Sequence, residues 1–127
     1  QIKKLGNIFS RRNENFKFYT KYLVNSYWKP SPLENSYTSN FSYPVIHPKR
    51  NEIVKNLEAA GVEVRPLICG SMNMQPFYKN KTKQDPSEFP NTDIVSKFGF
   101  YAPNHPDLTE EEIKTVCKII NDTIGEE

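Results

Sequence analysis

Apolar side chains recur every three or four positions along the first part of the chain. Polar residues fill the intervening positions, and Arg12 occupies one step of the apolar series. This spacing predicts an amphipathic helix with one buried face. No capping residue precedes it, so we expect the helix to continue from a longer parent. The series consists of Ile2, Leu5, Phe9, Phe16, Tyr19 and Leu23.

A loop and a strand are predicted next. Proline, serine and asparagine concentrate between residues 29 and 40 and indicate a loop. Residues 41–46 are then rich in aromatic and β-branched side chains, which predicts a strand. Because Pro44 has no backbone N–H to donate, we expect this strand to lie at a sheet edge or to contain a bulge.

Residues 48–68 predict a second helix followed by a second strand. Pro48 suits a first helical turn, and Gly61 suits a left-handed residue at the helix end. Residues 62–65 alternate as a short strand, which residues 67 and 68 extend. The expected buried face of the helix consists of Ile53, Val54, Leu57 and Ala60.

The last third of the chain predicts a loop, two helices and a strand. Residues 79–87 are polar and indicate a loop. Residues 89–98 predict a short helix that ends at Gly99, and residues 100–102 predict a strand. Thr109 and Glu112 have the spacing of a capping box that starts the last helix, and Gly125 ends it. Its expected buried stripe is Ile113, Val116, Cys117, Ile120 and Ile124.

This alternation of helices and strands predicts an α/β (α+β) fold, with a small sheet packed against helices. Lys and Arg total 17 and Asp and Glu 15, without the concentrated basic stripe expected of a nucleic-acid-binding protein. No apolar run approaches the ~20 residues that span a bilayer, and no signal peptide is recognised. We therefore expect a cytoplasmic protein in which Cys69 and Cys117 are buried free thiols rather than a disulfide.

The residues alone indicate few candidates for chemistry. No His, Cys, Asp and Glu cluster has metal-ligand spacing, and no nucleophile elbow, phosphate loop or dinucleotide fingerprint occurs. His47 either leads into a helix or serves a site, and His105, in a loop after a strand, is equally open. Arg65 at a strand end could bind phosphate or carboxylate through paired hydrogen bonds, or form a surface ion pair.

Four stretches, in this order, resemble the DegT/DnrJ-type PLP-dependent nucleotide-sugar aminotransferases and dehydratases. Each motif is common by itself, but their order and spacing across nearly the whole chain make the set specific. The first stretch, residues 1–5 with Arg11, Arg12 and Asn13, is similar to the family's long helix. The second, residues 57–65, is similar to L-x-x-x-G-I-x-x-R, and the third, residues 70–78, to G-N-x-x-x-Q-P-x-[FY]. The fourth, residues 89–92 with 103–112, is similar to FPN-A and P-x-H-P-x-L-T-x-E-E.

The resemblance implies the small C-terminal domain of an aspartate-aminotransferase-like PLP-transferase fold. Residues 1–28 would be an interdomain helix and residues 29–127 the small domain. The PLP-binding domain, with its catalytic lysine or the histidine that replaces it, would precede this chain, so no catalytic, cofactor-binding or metal-binding residue is assigned here. Partners would be that missing domain, a nucleotide-sugar substrate and a second subunit, without nucleic acid or membrane.

Details of the third motif resemble the 4-keto-6-deoxyhexose 3-dehydratases of deoxysugar and lipopolysaccharide biosynthesis more than the aminotransferases. Residues 65–71 follow the dehydratase pattern R-x-L-x-x-G-N, except that Ser71 replaces its asparagine. On this basis Arg65 would bind anionic groups of the substrate, and Ser71, Asn73 and His105 would form hydrogen bonds to it.

Two functions remain open from the sequence. The first is the C-terminal part of a PLP-dependent enzyme acting on nucleotide-linked 4-keto-6-deoxysugars, inactive and without cofactor by itself. The second is a stand-alone, non-catalytic α/β binding or interaction module. Under the first hypothesis the initial helix, without its usual partner, would expose Leu5, Phe9 and Phe16 and promote association.

Overall fold

A computed structural model describes residues 2–24, 28–67, 71–79, 81 and 85–125 of the chain. A turn of 3-10 helix, Ile2–Lys4, leads into the first α-helix. The further elements lie in the predicted alternating order, except that the short helix at Pro76–Lys79 was not predicted. They are α1 (Leu5–Tyr22), β1 (Ser42–Ile46), α2 (Arg50–Ala59), β2 (Arg65–Pro66), α3 (Pro76–Lys79), α4 (Pro90–Phe98), β3 (Gly99–Pro103) and α5 (Glu110–Ile124).

The three strands form one antiparallel sheet in the order β1-β3-β2. In the register of the sheet, Val45 lies opposite Phe100 and Arg65 lies opposite Tyr101. β1 is an edge strand, which confirms the position predicted from Pro44, and Trp28 forms an isolated bridge with Ile46. The central strand β3 therefore organises both neighbours and the residues that follow it.

Helices α1, α2 and α5 enclose the hydrophobic core with one face of the sheet. The stripe predicted for α5 is buried at all five positions, and Thr109 and Glu112 form the predicted capping box. Burial of these apolar faces is the main stabilising contribution to such a fold. The fully buried large side chains include Tyr19, Leu23, Tyr43, Ile53, Leu57, Phe100, Ile113 and Ile120.

The apolar face of α1 is only half buried, which corrects part of the sequence prediction. Phe16 is 3% exposed and packs in the core, so the expectation that it is exposed was wrong. Ile2, Leu5 and Phe9 are 88%, 60% and 39% exposed, as expected for Leu5 and Phe9. The core reaches only the second half of α1, because the helix extends beyond the elements against which it packs.

The second strand is shorter than predicted. β2 contains only Arg65 and Pro66, and the N–H of Leu67 adds one hydrogen bond of 3.3 Å to the Gly99 carbonyl. Val62 instead continues the turn after α2, since its N–H bonds the carbonyl of Leu57. Residues 68–70, including Cys69, lie outside the described part of the chain.

The remaining boundaries agree with the sequence except in two places. Gly61 has a φ of 78°, as predicted for a left-handed helix end, but Ala60 is exposed rather than buried. The polar stretch predicted as a loop also includes the end of α3 and a 3-10 turn, Pro86–Glu88. In the described part of the chain, no helix combines the length and the apolar character needed to span a bilayer.

Candidate functional site

Two of the predicted site residues, Arg65 and His105, line the same groove. The pairing of β2 with β3 places Arg65 beside Tyr101, and His105 follows the end of β3. The groove has a volume of about 350 Å³. We call it the Arg65 groove; its described lining is Arg12, Phe41, Glu63, Arg65, Tyr101, Pro103, Asn104 and His105.

Charge in the Arg65 groove is concentrated at its rim. The Arg65 guanidinium donates two hydrogen bonds to one carboxylate oxygen of Glu63, the Nε bond measuring 3.0 Å. This hydrogen bonding raises the pKa of Arg65 above its ordinary value. Both side chains are mostly exposed, so the pair adds little stability, and an anionic ligand could replace the carboxylate. The structure thus shows the surface ion pair, and binding of an anion by Arg65 stays a prediction.

Buried amides lie beneath the groove. The Asn104 side chain is fully buried and donates to the carbonyls of Asn40, at 2.8 Å, and Arg12, at 3.1 Å. Its backbone N–H donates to the carbonyl of Phe41. The side-chain oxygens of Asn15 and Asn104 and the Nε of Arg12 are buried without a partner among the described residues. This network fixes the backbone around the groove.

Ser71 does not lie with Arg65 and His105. Ser71 is buried, its N–H bonds the hydroxyl of Ser96 at 3.2 Å, and Asn73 lies in a 3-10 turn, Met72–Met74. Ser71 lines another groove of about 300 Å³ beside the first turn of α4. The described lining of this Ser71 groove is Ser71, Met74, Ser87, Pro90 and Asp93. Arg65 and His105 therefore lie in one groove and Ser71 in another, and the role of Asn73 stays a prediction.

A third groove, of about 610 Å³, is lined by residues of β1 and α4, by Trp28 and by Leu67 at the end of β2. It has an apolar lining and, among the described residues, no ionisable side chain that could transfer a proton. No group of three or more His, Cys, Asp or Glu side chains in the described part is placed to bind a metal ion. The lining residues of this apolar groove are Trp28, Pro44, Ile46, Leu67, Asn91, Ile94 and Val95.

His47 has a structural position. Its Nδ1 accepts a 3.0 Å hydrogen bond from the N–H of Lys49, and its carbonyl accepts one from the N–H of Arg50 at the start of α2. The histidine therefore organises the entry into a helix, the first of the two interpretations. It does not line the Arg65 groove.

Comparison with known proteins identifies the family. The sequence model of the DegT/DnrJ/EryC1/StrS aminotransferase family matches residues 1–121. The chain belongs to this family. The match includes all four stretches on which the resemblance was based, and it leaves the hypothesis of a module unrelated to these enzymes without support.

Curated relatives of this family member are substantially longer. The chain is 27% identical to the lipopolysaccharide biosynthesis protein RfbH of Salmonella typhimurium, covering 98% of this chain and 30% of that protein. It is 26% identical to a GDP-4-keto-6-deoxy-D-mannose 3-dehydratase of Yersinia pseudotuberculosis, covering 94% and 32%. The chain thus spans about a third of the length of these relatives.

Solved structures confirm the predicted fold. A DegT DnrJ EryC1 StrS aminotransferase from Brucella abortus matches with a TM-score of 0.86 at 18% identity, over 98% of this chain and 33% of that one. An E. coli GDP-4-keto-6-deoxy-D-mannose-3-dehydratase with bound hydrated PLP matches with a TM-score of 0.70 at 23% identity, over 95% and 33%. The small sheet packed with helices is therefore a part of the fold of these larger proteins.

Sequence reasoning missed several residues of the groove in this DegT/DnrJ family member. Arg12 was recognised only as one step of an apolar series and as part of the first family motif, although a charged side chain on an apolar face is itself a signal of a specific role. Glu63 and Tyr101 approach Arg65 through the turn after α2 and the β2–β3 pairing. Tyr101 and Phe41 reach the groove through long-range contacts that have no local sequence signature. Glu63, by contrast, is only two residues from Arg65, and Asn104 was named only as part of the last family motif.

Proposed function

We propose that this chain is the C-terminal part of a PLP-dependent enzyme that acts on nucleotide-linked 4-keto-6-deoxysugars. The enzyme either transfers an amino group to the sugar or removes its 3-hydroxyl group. The single observation that carries this proposal is the family match over residues 1–121. Two curated relatives named GDP-4-keto-6-deoxy-D-mannose 3-dehydratase favour hydroxyl removal as the first reaction to test.

Within the parent, we propose that residues 1–28 join the cofactor domain to the small domain formed by residues 29–127. The Arg65 groove would contribute to substrate binding. Arg65 would donate to an anionic group, and His105 would form a hydrogen bond at the other side of the groove. Ser71 and Asn73 would contact a different part of the substrate, since Ser71 lies in a separate groove.

PLP itself fits poorly to the described grooves. PLP chemistry requires a lysine amine or its replacement beside the aldehyde carbon, where the cofactor serves as an electron sink. None of the described residues lining the three grooves is a lysine, and the one histidine among them, His105, has its Nδ1 occupied by the N–H of Asp107. We therefore propose that the rest of the parent holds PLP, and that this chain supplies only substrate contacts and is inactive alone.

Activity of the full-length parent tests the proposal directly. The purified parent with PLP, glutamate and GDP-4-keto-6-deoxymannose should yield a 3-deoxy or a 4-amino sugar, separated by chromatography and identified by mass. The 127-residue chain alone should yield neither product and should retain no PLP absorbance after dialysis. Absence of both products in a folded, PLP-loaded parent would refute the assignment.

Arg65→Ala in the parent should raise the KM for the nucleotide sugar by about tenfold, because one charge-assisted contact is lost. His105→Gln should also raise this KM. Lys118→Ala is a matched control, since Lys118 is an exposed cation on α5 that pairs with Asp122 and does not line the Arg65 groove. An unchanged KM and rate in Arg65→Ala would remove Arg65 from the substrate site, and the same result in His105→Gln would remove His105.

A further inference from the structure

Two side chains of α1 hold the turn that carries His105, which we define as residues 105–108. Asn15 Nδ2 donates to the carbonyl of His105 at 2.9 Å. Arg11 Nε donates to the carbonyl of Pro106 at 3.3 Å, and its Nη2 donates to that of Leu108 at 2.9 Å. A bond of 3.1 Å from the N–H of Leu108 to the carbonyl of His105 closes the turn. Three of its four carbonyls are thus bound from α1.

This turn determines which imidazole nitrogen of His105 can donate. Nδ1 accepts a 3.2 Å hydrogen bond from the N–H of Asp107, whereas the Asp107 carboxylate lies 3.5 Å from the same nitrogen, beyond the usual N–H···O hydrogen-bond distance. A neutral imidazole whose Nδ1 accepts carries its proton on Nε2, so the tautomer follows from the hydrogen bond. The side chain is 65% exposed, and the residue lines the Arg65 groove. A ligand in the groove would therefore find an N–H donor at Nε2.

Arg11 and Asn15 are suited to fixing this geometry in advance. Asn15 is fully buried, so its amide has one environment, and Arg11 also pairs with Glu14 one turn along α1. The planar guanidinium reaches two carbonyls at once, which the single ammonium group of lysine cannot reproduce in the same geometry. A turn that is ordered before binding loses less conformational entropy when a ligand arrives.

We infer that Arg11 and Asn15 are positioning residues that hold the turn at residues 105–108 and thereby keep His105 as an Nε2–H donor toward an oxyanion in the Arg65 groove. This inference rests on the proposed function for the ligand, but the tautomer can be measured without any ligand. Arg11 and Asn15 act on the site through the backbone of the turn. Their substitution should therefore change His105 while leaving the Arg65–Glu63 pair intact.

Long-range 1H–15N correlation spectra of the 127-residue chain should resolve the imidazole nitrogens of both histidines. In the unsubstituted chain, His105 should show a protonated Nε2 and an unprotonated Nδ1. Arg11→Lys and Asn15→Ala should shift His105 toward a mixture of tautomers. His47 is an internal reference, because its Nδ1 also accepts from the N–H two residues later, whereas Arg11 and Asn15 donate to the turn at residues 105–108.

Arg50→Lys is the matched control, since Arg50 also donates to two backbone carbonyls, those of Ser96 and Lys97, at the end of α4. It should leave the tautomer of His105 unchanged. Because Asn15 is buried, Asn15→Ala could unfold the chain; Arg11 is partly exposed, and Arg11→Lys then decides the question alone. An unchanged tautomer of His105 in folded Arg11→Lys would overturn the inference.

Titration with inorganic diphosphate adds a binding measurement. In the unsubstituted chain, diphosphate should shift the NMR signals of His105 Nε2 and Arg65 Nε. Arg11→Lys should raise the Kd for diphosphate by about three- to tenfold, which corresponds to the free energy of about one hydrogen bond. Arg50→Lys should bind as the unsubstituted chain does. Failure of the unsubstituted chain to bind diphosphate would contradict the anion-binding role of the groove in the proposed function. The tautomer of His105 measured in Arg11→Lys would still test whether Arg11 positions the turn. Normal binding and a normal tautomer in Arg11→Lys would refute the positioning role alone.

Discussion

Asn104 joins three segments of the chain through one fully buried side chain and its own backbone. Its amide and N–H donate to the carbonyls of Arg12, Asn40 and Phe41, which lie in α1 and in the approach to β1. Asn104→Ala should lower the free energy of unfolding by about 2 kcal/mol, because two buried carbonyls lose their donor. Urea denaturation measures the loss. Asn51→Ala, at an exposed position of α2, should change stability by less than about 0.5 kcal/mol, and an equal effect of both substitutions would contradict the role of Asn104.

Cys117 is a buried free thiol whose pKa is raised from 9.0 to about 12 by burial. Because the thiol ionises at a lower pH in the unfolded chain than in the folded protein, rising pH favours unfolding. The stability that is present below the pKa of the unfolded thiol is lost as the pH rises through the pKa of the folded one. The urea concentration at the unfolding midpoint should therefore decrease as the pH is raised from 9.0 to about 12. Cys117→Ala should reduce the slope of this decrease with pH. Burial also raises the pKa of Tyr19, so a smaller slope should remain in the variant. An unchanged slope in Cys117→Ala would exclude the thiol as its source.

The sequence made Arg65 and His105 candidate site residues and gave no role to the residues around them. His105 was a candidate because a histidine between two prolines after a strand projects from a loop. Arg12 and Asn104 contribute through contacts separated by more than ninety positions, as in the hydrogen bond from the Asn104 amide to the Arg12 carbonyl. Only the folded chain brings such residues together.

The junction of α4 and β3 depends on the absence of a side chain at Gly99. Its φ of −85° is accessible to any residue, but a Cβ there would overlap the Leu67 side chain and the carbonyl of Val95. Gly99→Ala should therefore lower the free energy of unfolding by about 1–3 kcal/mol. Gly6→Ala is a matched control, since nothing lies within 4 Å of a Cβ at Gly6 in α1, and it should stabilise the chain by about 0.5 kcal/mol. In thermal denaturation, Gly99→Ala should lower the melting temperature and Gly6→Ala should raise it. Destabilisation of both variants by the same amount would contradict this explanation.

Elements with complete local signals were predicted well, and those that depend on pairing were not. The start of α5 has a capping box, its middle an apolar stripe and its end a glycine, so its boundaries and buried face all follow from nearby residues. The β2 strand has only alternation over residues 62–65, and its extent is determined by where β3 runs alongside it. Pairing with β3 begins at Arg65, three residues later than the alternation suggested.

The whole molecule presents an apolar surface on the first half of α1. Ile2 and Leu5 are largely exposed, and Phe9 contacts the ring of Tyr37 at a centroid distance of 5.4 Å. We expect the isolated chain to associate through this surface, since contiguous exposed apolar groups favour contact with each other. Sedimentation velocity should show a sedimentation coefficient that rises with concentration, and Ile2→Gln with Leu5→Gln should remove this rise.

Leu33→Gln is the control for this association, because Leu33 is 83% exposed but lies in the loop before β1. It should associate as the unsubstituted chain does. A chain that sediments as a monomer at every concentration would refute the prediction. The sequence predicted this surface correctly for Leu5 and Phe9, and failed for Phe16 because the extent of the core is a property of the whole fold.

The edge of β1 has a consequence for misfolding. Unpaired edges of sheets are the usual starting points for intermolecular cross-β structure. Pro44 in the middle of β1 has no N–H to offer an incoming strand, and Trp28 already occupies the position beside Ile46 at its end. A short edge with these two obstacles is a poor template for fibril growth. We therefore expect assemblies of this chain not to grow by addition of strands to β1.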